Sequence, residues 1–60
     1  MIVSYRRRDS DGRLSHLAIG TLLHRAPTLA VVRMTGYRKV EILDSEQAAT
    51  VKEWRKHGPR

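Results

Sequence analysis

The stretch Leu14–Arg25, with the sequence LSHLAIGTLLHR, decides the fold because it is compatible with both an α-helix and a β-strand. In a helix, its apolar residues would recur at roughly helical spacing, but Gly20 would lie in the interior at a cost of about 1 kcal/mol relative to alanine. In a strand, Gly20 would mark a bend or a bulge, and one face would carry Leu17, Ile19, Thr21 and Leu23. We favour one long, bent strand. The helical alternative would give the element order β-α-β-β-α.

The residues before this stretch predict a strand followed by a tight turn. Ile2–Arg8 begins with β-branched and aromatic residues, which favour strands. The cluster Asp9-Ser10-Asp11-Gly12 follows, and its Asp and Gly residues tolerate the positive φ that hairpin turns require. A calcium-binding loop opens in a similar way, but its twelfth position must be Glu, and position 20 here is glycine. We therefore expect a plain β-hairpin.

The residues after this stretch predict a turn, a strand, a second turn and a returning strand, over residues 25–28, Leu29–Met34, Thr35–Gly36 and Tyr37–Leu43. The first turn is expected because Pro27 fixes its own φ and cannot donate to a ladder. Alternation in the returning strand predicts that Val40 and Ile42 face the core, while Lys39 and Glu41 face solvent. The four strands would form an antiparallel meander.

The last segment predicts a helix. Asp44 is a suitable N-cap, and Gln47 three residues later completes a capping-box pattern. Glu46 suits the positive end of the helix dipole, whereas the negative end would carry Lys52, Arg55, Lys56 and His57. Gly58-Pro59 is a typical stop, and one apolar face would carry Ala48, Val51 and Trp54. The expected fold class is α+β: a small antiparallel β-meander, arranged as an SH3-like barrel or a helix-backed sheet, with one C-terminal helix.

Size and composition limit the chain to a single small domain over residues 1–60. The sequence has no cysteine, so neither disulfides nor a thiolate zinc site can stabilise it. A core this small rarely supplies more than about 3–5 kcal/mol, and we hypothesise that homo-oligomerisation or a bound partner completes the fold. The N-terminus lacks the pattern of a signal peptide, and the uncharged run at residues 14–24 is too short to span a bilayer. These features predict a cytoplasmic protein with no membrane partner.

The charge of the chain indicates an anionic partner. Twelve Lys and Arg oppose six Asp and Glu, which gives a net charge of +6, and nine of the twelve cations are arginines. Guanidinium groups bind phosphate through two parallel hydrogen bonds, whereas the lysine ammonium acts as a point charge. The cations that we assign to nucleic-acid binding are Arg6, Arg7, Arg8, Arg13, Arg33, Arg38, Lys39, Lys52, Arg55 and Lys56. Arg6, Arg7, Arg8 and Arg13 would meet at the first hairpin, and Lys52, Arg55, Lys56 and Arg60 at the C-terminus.

Three aromatic residues, Tyr5, Tyr37 and Trp54, are candidates for stacking on unpaired bases or for anchoring a partner. Strand tyrosines are more often packing residues, and Trp54 is also expected to pack on the sheet.

No residue pattern indicates catalysis or metal binding. Ser15 and His16 are adjacent, and neighbouring strand residues point to opposite faces, so they cannot form a nucleophile–base pair. His16, His24 and His57 lack the fixed spacing and thiolate partners of a metal site. We therefore expect no enzyme activity and no cofactor.

Two functional hypotheses follow from these observations. The first is a non-enzymatic nucleic-acid-binding module that grips DNA or RNA phosphates with its arginine-rich hairpin and basic C-terminal helix. The second is a small phage- or plasmid-type inhibitor or accessory factor that binds a protein of a nucleic-acid machine, as anti-CRISPR proteins do. That comparison rests on size and charge alone. Such a protein would need apolar anchors, for which Trp54, Tyr37 and Met34 are candidates.

Overall fold

A computed structural model describes residues 1–54, which form five strands and one short helix. The elements in chain order are β1 (Ile2–Arg8), β2 (Leu14–Ala26), β3 (Leu29–Met34), β4 (Val40–Leu43), α1 (Ser45–Ala48) and β5 (Lys52–Glu53). The strands form one antiparallel sheet in the order β4-β3-β2-β1-β5. The predicted small antiparallel meander is therefore confirmed, and the described chain is mostly β.

The stretch that decides the fold is a single long strand, as we favoured, so the β-α-β-β-α alternative is wrong. The first half of β2 pairs with β1, and the second half pairs with β3. Gly20 belongs to both pairings, opposite Val3 on one side and Met34 on the other. The irregularity of the strand lies slightly later, at a register shift between Leu22 and His24. Gly20 is thus a point of close backbone approach and not the bulge itself.

The sheet is strongly curved, because residues from distant strands meet on one of its faces. β1 and β4 are separated by two strands, which would put them about 14 Å apart in a flat sheet. The Arg7 Nε of β1 nevertheless lies 3.3 Å from the Glu41 Oε2 of β4. We call the face that carries this ion pair the inner face and the opposite side the outer face.

The core lies on the inner face and is closed by the chain that follows β4. Its buried members are Val3, Tyr5, Ala18, Ala30, Val32, Leu43, Ala48 and Val51, with Leu22 and Met34 packed against them. α1 contacts β1, β3 and β4, and it therefore covers the gap that the curved sheet leaves open. The partly buried position of Met34 makes it a packing residue more than an exposed anchor.

The faces of β4 are the reverse of the prediction. Val40 and Ile42 are 54% and 73% exposed, whereas Glu41 is only partly exposed and pairs with Val32. The strand begins at Val40, because residues 37–39 form a loop after the turn at Gly36. Glu41 can occupy the inner face because Arg7 neutralises it there. Two aliphatic side chains are consequently left in solvent.

The predicted C-terminal helix is correct only at its start. The Asp44 Oδ1 accepts from the Gln47 N–H at 2.9 Å, which confirms the N-cap, but α1 ends at Ala48. The capping box is not reciprocal, since the Gln47 Nε2 donates to the Arg6 carbonyl at 3.2 Å. The chain then pairs with the free edge of β1, where the Trp54 N–H donates to the Ile2 carbonyl at 2.9 Å. Turn hydrogen bonds at residues 49–51 and ladder bonds with β1 at residues 52–54 thus replace the predicted helix. The continuation through Arg55, Lys56 and His57 lies outside the described residues.

Candidate nucleic-acid interface

The hairpin between β1 and β2 is organised by one carboxylate. The Asp9 Oδ1 accepts from the N–H groups of Asp11 (2.8 Å) and Arg13 (3.0 Å), and its Oδ2 accepts from the Ser15 hydroxyl (3.0 Å). Gly12 has the positive φ of +80° that the predicted turn requires. These hydrogen bonds, first that from Arg13, lower the pKa of Asp9. The carboxylate that directly follows the arginine triplet in the sequence therefore holds the turn.

The arginine triplet does not form one cluster, because its three side chains take different partners. The Arg8 side chain binds Asp44 at 3.0 Å and Glu46 at 3.5 Å, and its Nη1 donates to the Gly12 carbonyl at 2.7 Å. Arg7 is paired with Glu41 on the inner face. Arg6 donates to the Ser15 carbonyl, and no carboxylate in the described part of the chain pairs with it. Two of the arginines assigned to phosphate binding thus tie β1 to β4 and α1.

The three aromatic candidates have different accessibilities. Tyr5 is 0% exposed, so it cannot stack on a base, and that part of the prediction is wrong. Burial, and next the Glu41 carboxylate, raise the pKa of the Tyr5 hydroxyl. Tyr37 is 61% exposed in the loop before β4, and Trp54 is 36% exposed directly after β5. Only Tyr37 and Trp54 remain accessible to a partner.

The two described histidines lie on opposite sides of the sheet. His16 pairs with Arg7, a residue of the inner face, whereas His24 pairs with Val31 on the far side of the bulge. The third histidine, His57, is outside the described residues. In residues 1–54, no group of three or more metal-ligating side chains comes together.

The outer face combines exposed aliphatic side chains with cations. Besides the end pairs Arg8–Leu14 and Ala26–Leu29, strand alternation and register place these residues there: Ile2, Ser4, Arg6, Leu17, Ile19, Thr21, His24, Val31, Arg33, Val40, Ile42, Lys52 and Trp54. Besides Val40 and Ile42, Leu17 and Ile2 are substantially exposed, at 54% and 45%. Arg33 lies in the same cross-strand row as Thr21 and Val40. The sheet therefore presents an uncovered surface in which apolar and positive positions alternate.

Neither carboxylate of the described strands lies on the outer face. Glu41 and Glu53 pair with Val32 and Val3, both residues of the inner face. The remaining acids of residues 1–54 are in the hairpin turn or at α1, namely Asp9, Asp11, Asp44 and Glu46, and the last two bind Arg8 at the end of β1. Arg6, Arg33 and Lys52 therefore have no strand carboxylate opposite them on this face.

Three of the other predicted cations lie in connecting segments of the described chain, outside the strands of this face. Arg13 lies at the hairpin, and Arg38 and Lys39 lie in the loop before β4, all three exposed. Arg55 and Lys56 fall outside the described residues. The aliphatic part of the outer face was missed by sequence reasoning, because the alternation of β4 was assigned to the wrong side. The apolar residues on both sides of β1, Ile2 as well as Val3 and Tyr5, were the signal that could have indicated it.

Comparison with known proteins gives no relative: no family model, no curated protein and no solved structure matches the chain. Within residues 1–54, the helix found is too short and too polar to cross a membrane.

Proposed function

We propose that this chain is a non-enzymatic nucleic-acid-binding module that acts in the cytoplasm and binds its partner across the outer face of the sheet. The observation that carries the proposal is the charge of that face, where Arg6, Arg33 and Lys52 lie and form no ion pair with a carboxylate of residues 1–54. Unopposed cations repel one another, and phosphate groups remove that repulsion. Arginine also offers the planar donor pair that phosphate accepts.

This proposal narrows the set of phosphate-binding residues. Arg7 and Arg8 are assigned to the fold, because their ion pairs join β1 to β4 and α1. The loop cations Arg13 and Arg38 add to the long-range attraction that guides a polyanion towards the surface. Direct contact is assigned to the outer-face cations.

We propose further that the sheet is an SH3-like barrel. Three features support this: the long β2 shared between two neighbours, the short α1 between β4 and β5, and the pairing of β5 with β1. In small barrels of this size the interior is filled by side chains, so a ligand has to bind on the outside.

The salt dependence of binding tests the proposal. A variant with Arg6→Gln, Arg33→Gln and Lys52→Gln removes the outer-face charges, and a charge-matched control carries Arg13→Gln, Arg38→Gln and Lys39→Gln. Each phosphate contact contributes about −0.7 on single strands and −0.9 on duplex DNA to the slope of log K against log salt. The salt slope of the outer-face variant should therefore fall by roughly 2–3, and that of the control should fall by less, because the loop cations contribute long-range attraction and no direct phosphate contact. Equal slopes for the two variants would rule out the outer face as the phosphate-binding surface.

A second function, binding to a protein as an inhibitor or accessory factor, is favoured by one observation. Ile42 is 73% exposed next to Val40 at 54%, and aliphatic side chains gain nothing from phosphate. A tagged copy purified from a lysate distinguishes the two functions. Nucleic acid bound through phosphate is removed by nuclease or by about 1 M salt, where charges are screened within about 3 Å. A protein partner held by a desolvated apolar contact would stay bound after both treatments.

A further inference from the structure

We infer that the ligand of the outer face is a single-stranded nucleic acid, whose bases lie on the aliphatic residues while its phosphates contact the cations between them. This inference rests on the proposed function and specifies its ligand. On the outer face, charged and apolar side chains lie next to one another within the same surface.

The register shows how closely the two kinds of side chain are mixed. One row across the sheet runs Val40, Arg33, Thr21 and Ile2, and Arg6 lies beside Leu17 in another. Neighbouring positions in such a row are about 4.8 Å apart, and successive residues on one face of a strand about 7 Å apart. A ligand that covers this surface must therefore present anionic and flat apolar groups in close succession. Single strands do so, because each nucleotide joins a phosphate to an unpaired base.

A duplex fits this surface poorly. The bases of a duplex are stacked inside it, so the exposed Ile42, Val40 and Leu17 side chains would face its phosphates. Those phosphates would lose hydrating water and gain no hydrogen bond from the aliphatic side chains. The face is formed by five neighbouring strands, whereas the major groove is about 12 Å wide and admits at most a two-stranded ribbon. The face can therefore contact a duplex only along its backbone.

Trp54 adds a stacking position at the margin of the same surface. Alternation from Glu53, which pairs with Val3 of the inner face, places Trp54 on the outer face beside Ile2. Its side chain is partly exposed, and base–aromatic stacking tolerates any sequence because every base has a π-face. We accordingly expect little sequence specificity.

A protein partner and a second copy of the chain are disfavoured as ligands, because charged and apolar residues are mixed on this surface. Protein interfaces concentrate apolar residues at the centre and leave charges at the rim, whereas Arg33 lies between Thr21 and Val40. A second copy packed face to face would bring two positively charged surfaces together, and neither has a strand carboxylate to offset the repulsion.

Three probes of equal length test the inference by fluorescence anisotropy at fixed salt: a single strand, a duplex, and an abasic sugar–phosphate strand that retains the charges without bases. DNA and RNA versions of the single strand compare the two sugars. We expect the normal single strand to bind at least tenfold more tightly than the abasic strand or the duplex.

A pair of variants locates the bases on the sheet. Leu17→Ser with Ile42→Ser should weaken single-strand binding about tenfold and leave the salt slope unchanged, because no phosphate contact is lost. Tyr37→Ser is the matched control, since it removes an exposed apolar side chain from a loop outside the sheet, and it should bind normally. Circular dichroism verifies that each variant is folded. Equal losses in the two variants would overturn the assignment of the bases to the outer face.

The remaining outcomes separate the inference from the proposed function. Equal affinity for single strand, duplex and abasic strand, with a steep salt slope, would overturn the inference and leave the proposed function standing. Binding no tighter to nucleic acid than to heparin would overturn both. A protein retained after nuclease and high salt by the wild type, but not by the Leu17→Ser, Ile42→Ser variant, would favour an acidic protein partner. If the wild type sedimented as a dimer and this variant as a monomer, the partner of the outer face would be a second copy of the chain. Either of these two results would overturn the inference.

Discussion

Replacing Gly20 by alanine should destabilise the protein through a clash between β2 and β3. An added Cβ would overlap the Arg33 carbonyl oxygen and lie 2.9 Å from both the Arg33 carbonyl carbon and the Met34 Cα. All of these are backbone atoms, so no rotamer change can relieve the contact, and the two strands must move apart. Val3 of β1 holds Gly20 from the other side and restricts that movement.

The expected loss can be estimated from its components. Overpacking of this kind costs about 1–3 kcal/mol, and a weakened ladder hydrogen bond adds about 0.5–1.5 kcal/mol. Alanine returns about 0.5–1 kcal/mol because it is less flexible than glycine when unfolded. These components add to a net loss of roughly 0.5–4 kcal/mol with a midpoint of about 2 kcal/mol, which is about half of the stability of about 3–5 kcal/mol that a domain of this size possesses.

Urea unfolding followed by circular dichroism measures this loss, and two other glycines serve as controls. Gly12 and Gly36 have φ of +80° and +88°, and a Cβ at either would meet no atom within 4 Å. Gly12→Ala and Gly36→Ala should therefore cost only the backbone strain, about 1–2 kcal/mol. If Gly20→Ala were as stable as the wild type, the close approach of β2 and β3 at this point would be wrong.

Two further substitutions test the charged and polar groups around the core. The Tyr5 hydroxyl is buried and makes no hydrogen bond with residues 1–54, so Tyr5→Phe should change the stability at pH 7 by no more than about 1 kcal/mol. Burial raises the pKa of the Tyr5 hydroxyl above the usual 10.0, so the free energy of unfolding of the wild type should fall as the pH rises beyond about 10. Urea unfolding at pH 7 and at pH 11 should show a smaller fall between the two pH values for the variant. A large loss for Tyr5→Phe at pH 7 would show that the hydroxyl has a partner. The hydrogen bond from the Gln47 N–H, and next that from the Arg8 side chain, lower the pKa of Asp44 below its usual 3.8. The contribution of the Asp44 carboxylate to stability is therefore complete above pH 3.8 and is lost as the pH falls through the lowered pKa. Asp44→Asn should therefore show a smaller drop in Tm between pH 6 and pH 2.5 than the wild type, and identical drops would contradict this role.

Local sequence signals predicted most of the sheet. β1 and β3 have the predicted bounds, and the hairpin forms where Asp9 and Gly12 indicated it. These features depend on residues close together in the chain, such as the carboxylate of Asp9 and the N–H groups it binds. The N-cap at Asp44 was predictable for the same reason.

The features that could not be predicted depend on contacts between distant residues. Glu41 lies on the inner face because the curvature of the sheet brings Arg7 to it, and nothing near position 41 indicates that partner. The residues after Ala48 have helical patterning, but β1 offers an unpaired edge, and ladder bonds to that edge outweigh local propensity. Both errors changed the candidate site: the first concealed the aliphatic outer face, and the second moved Lys52 from a basic helix to that face.

The pairing of β5 with β1 also determines the order in which this protein can be assembled on a ribosome. Val3 is synthesised fifty positions before its partner Glu53. The hairpin of β1 and β2 can form as soon as both strands are available, because its loop is short, whereas the ladder between β1 and β5 has to close a loop of about fifty residues. Val3 and Tyr5 are therefore covered on one side only until Val51 has been added. A net charge of +6 opposes the association of chains in this partly covered state.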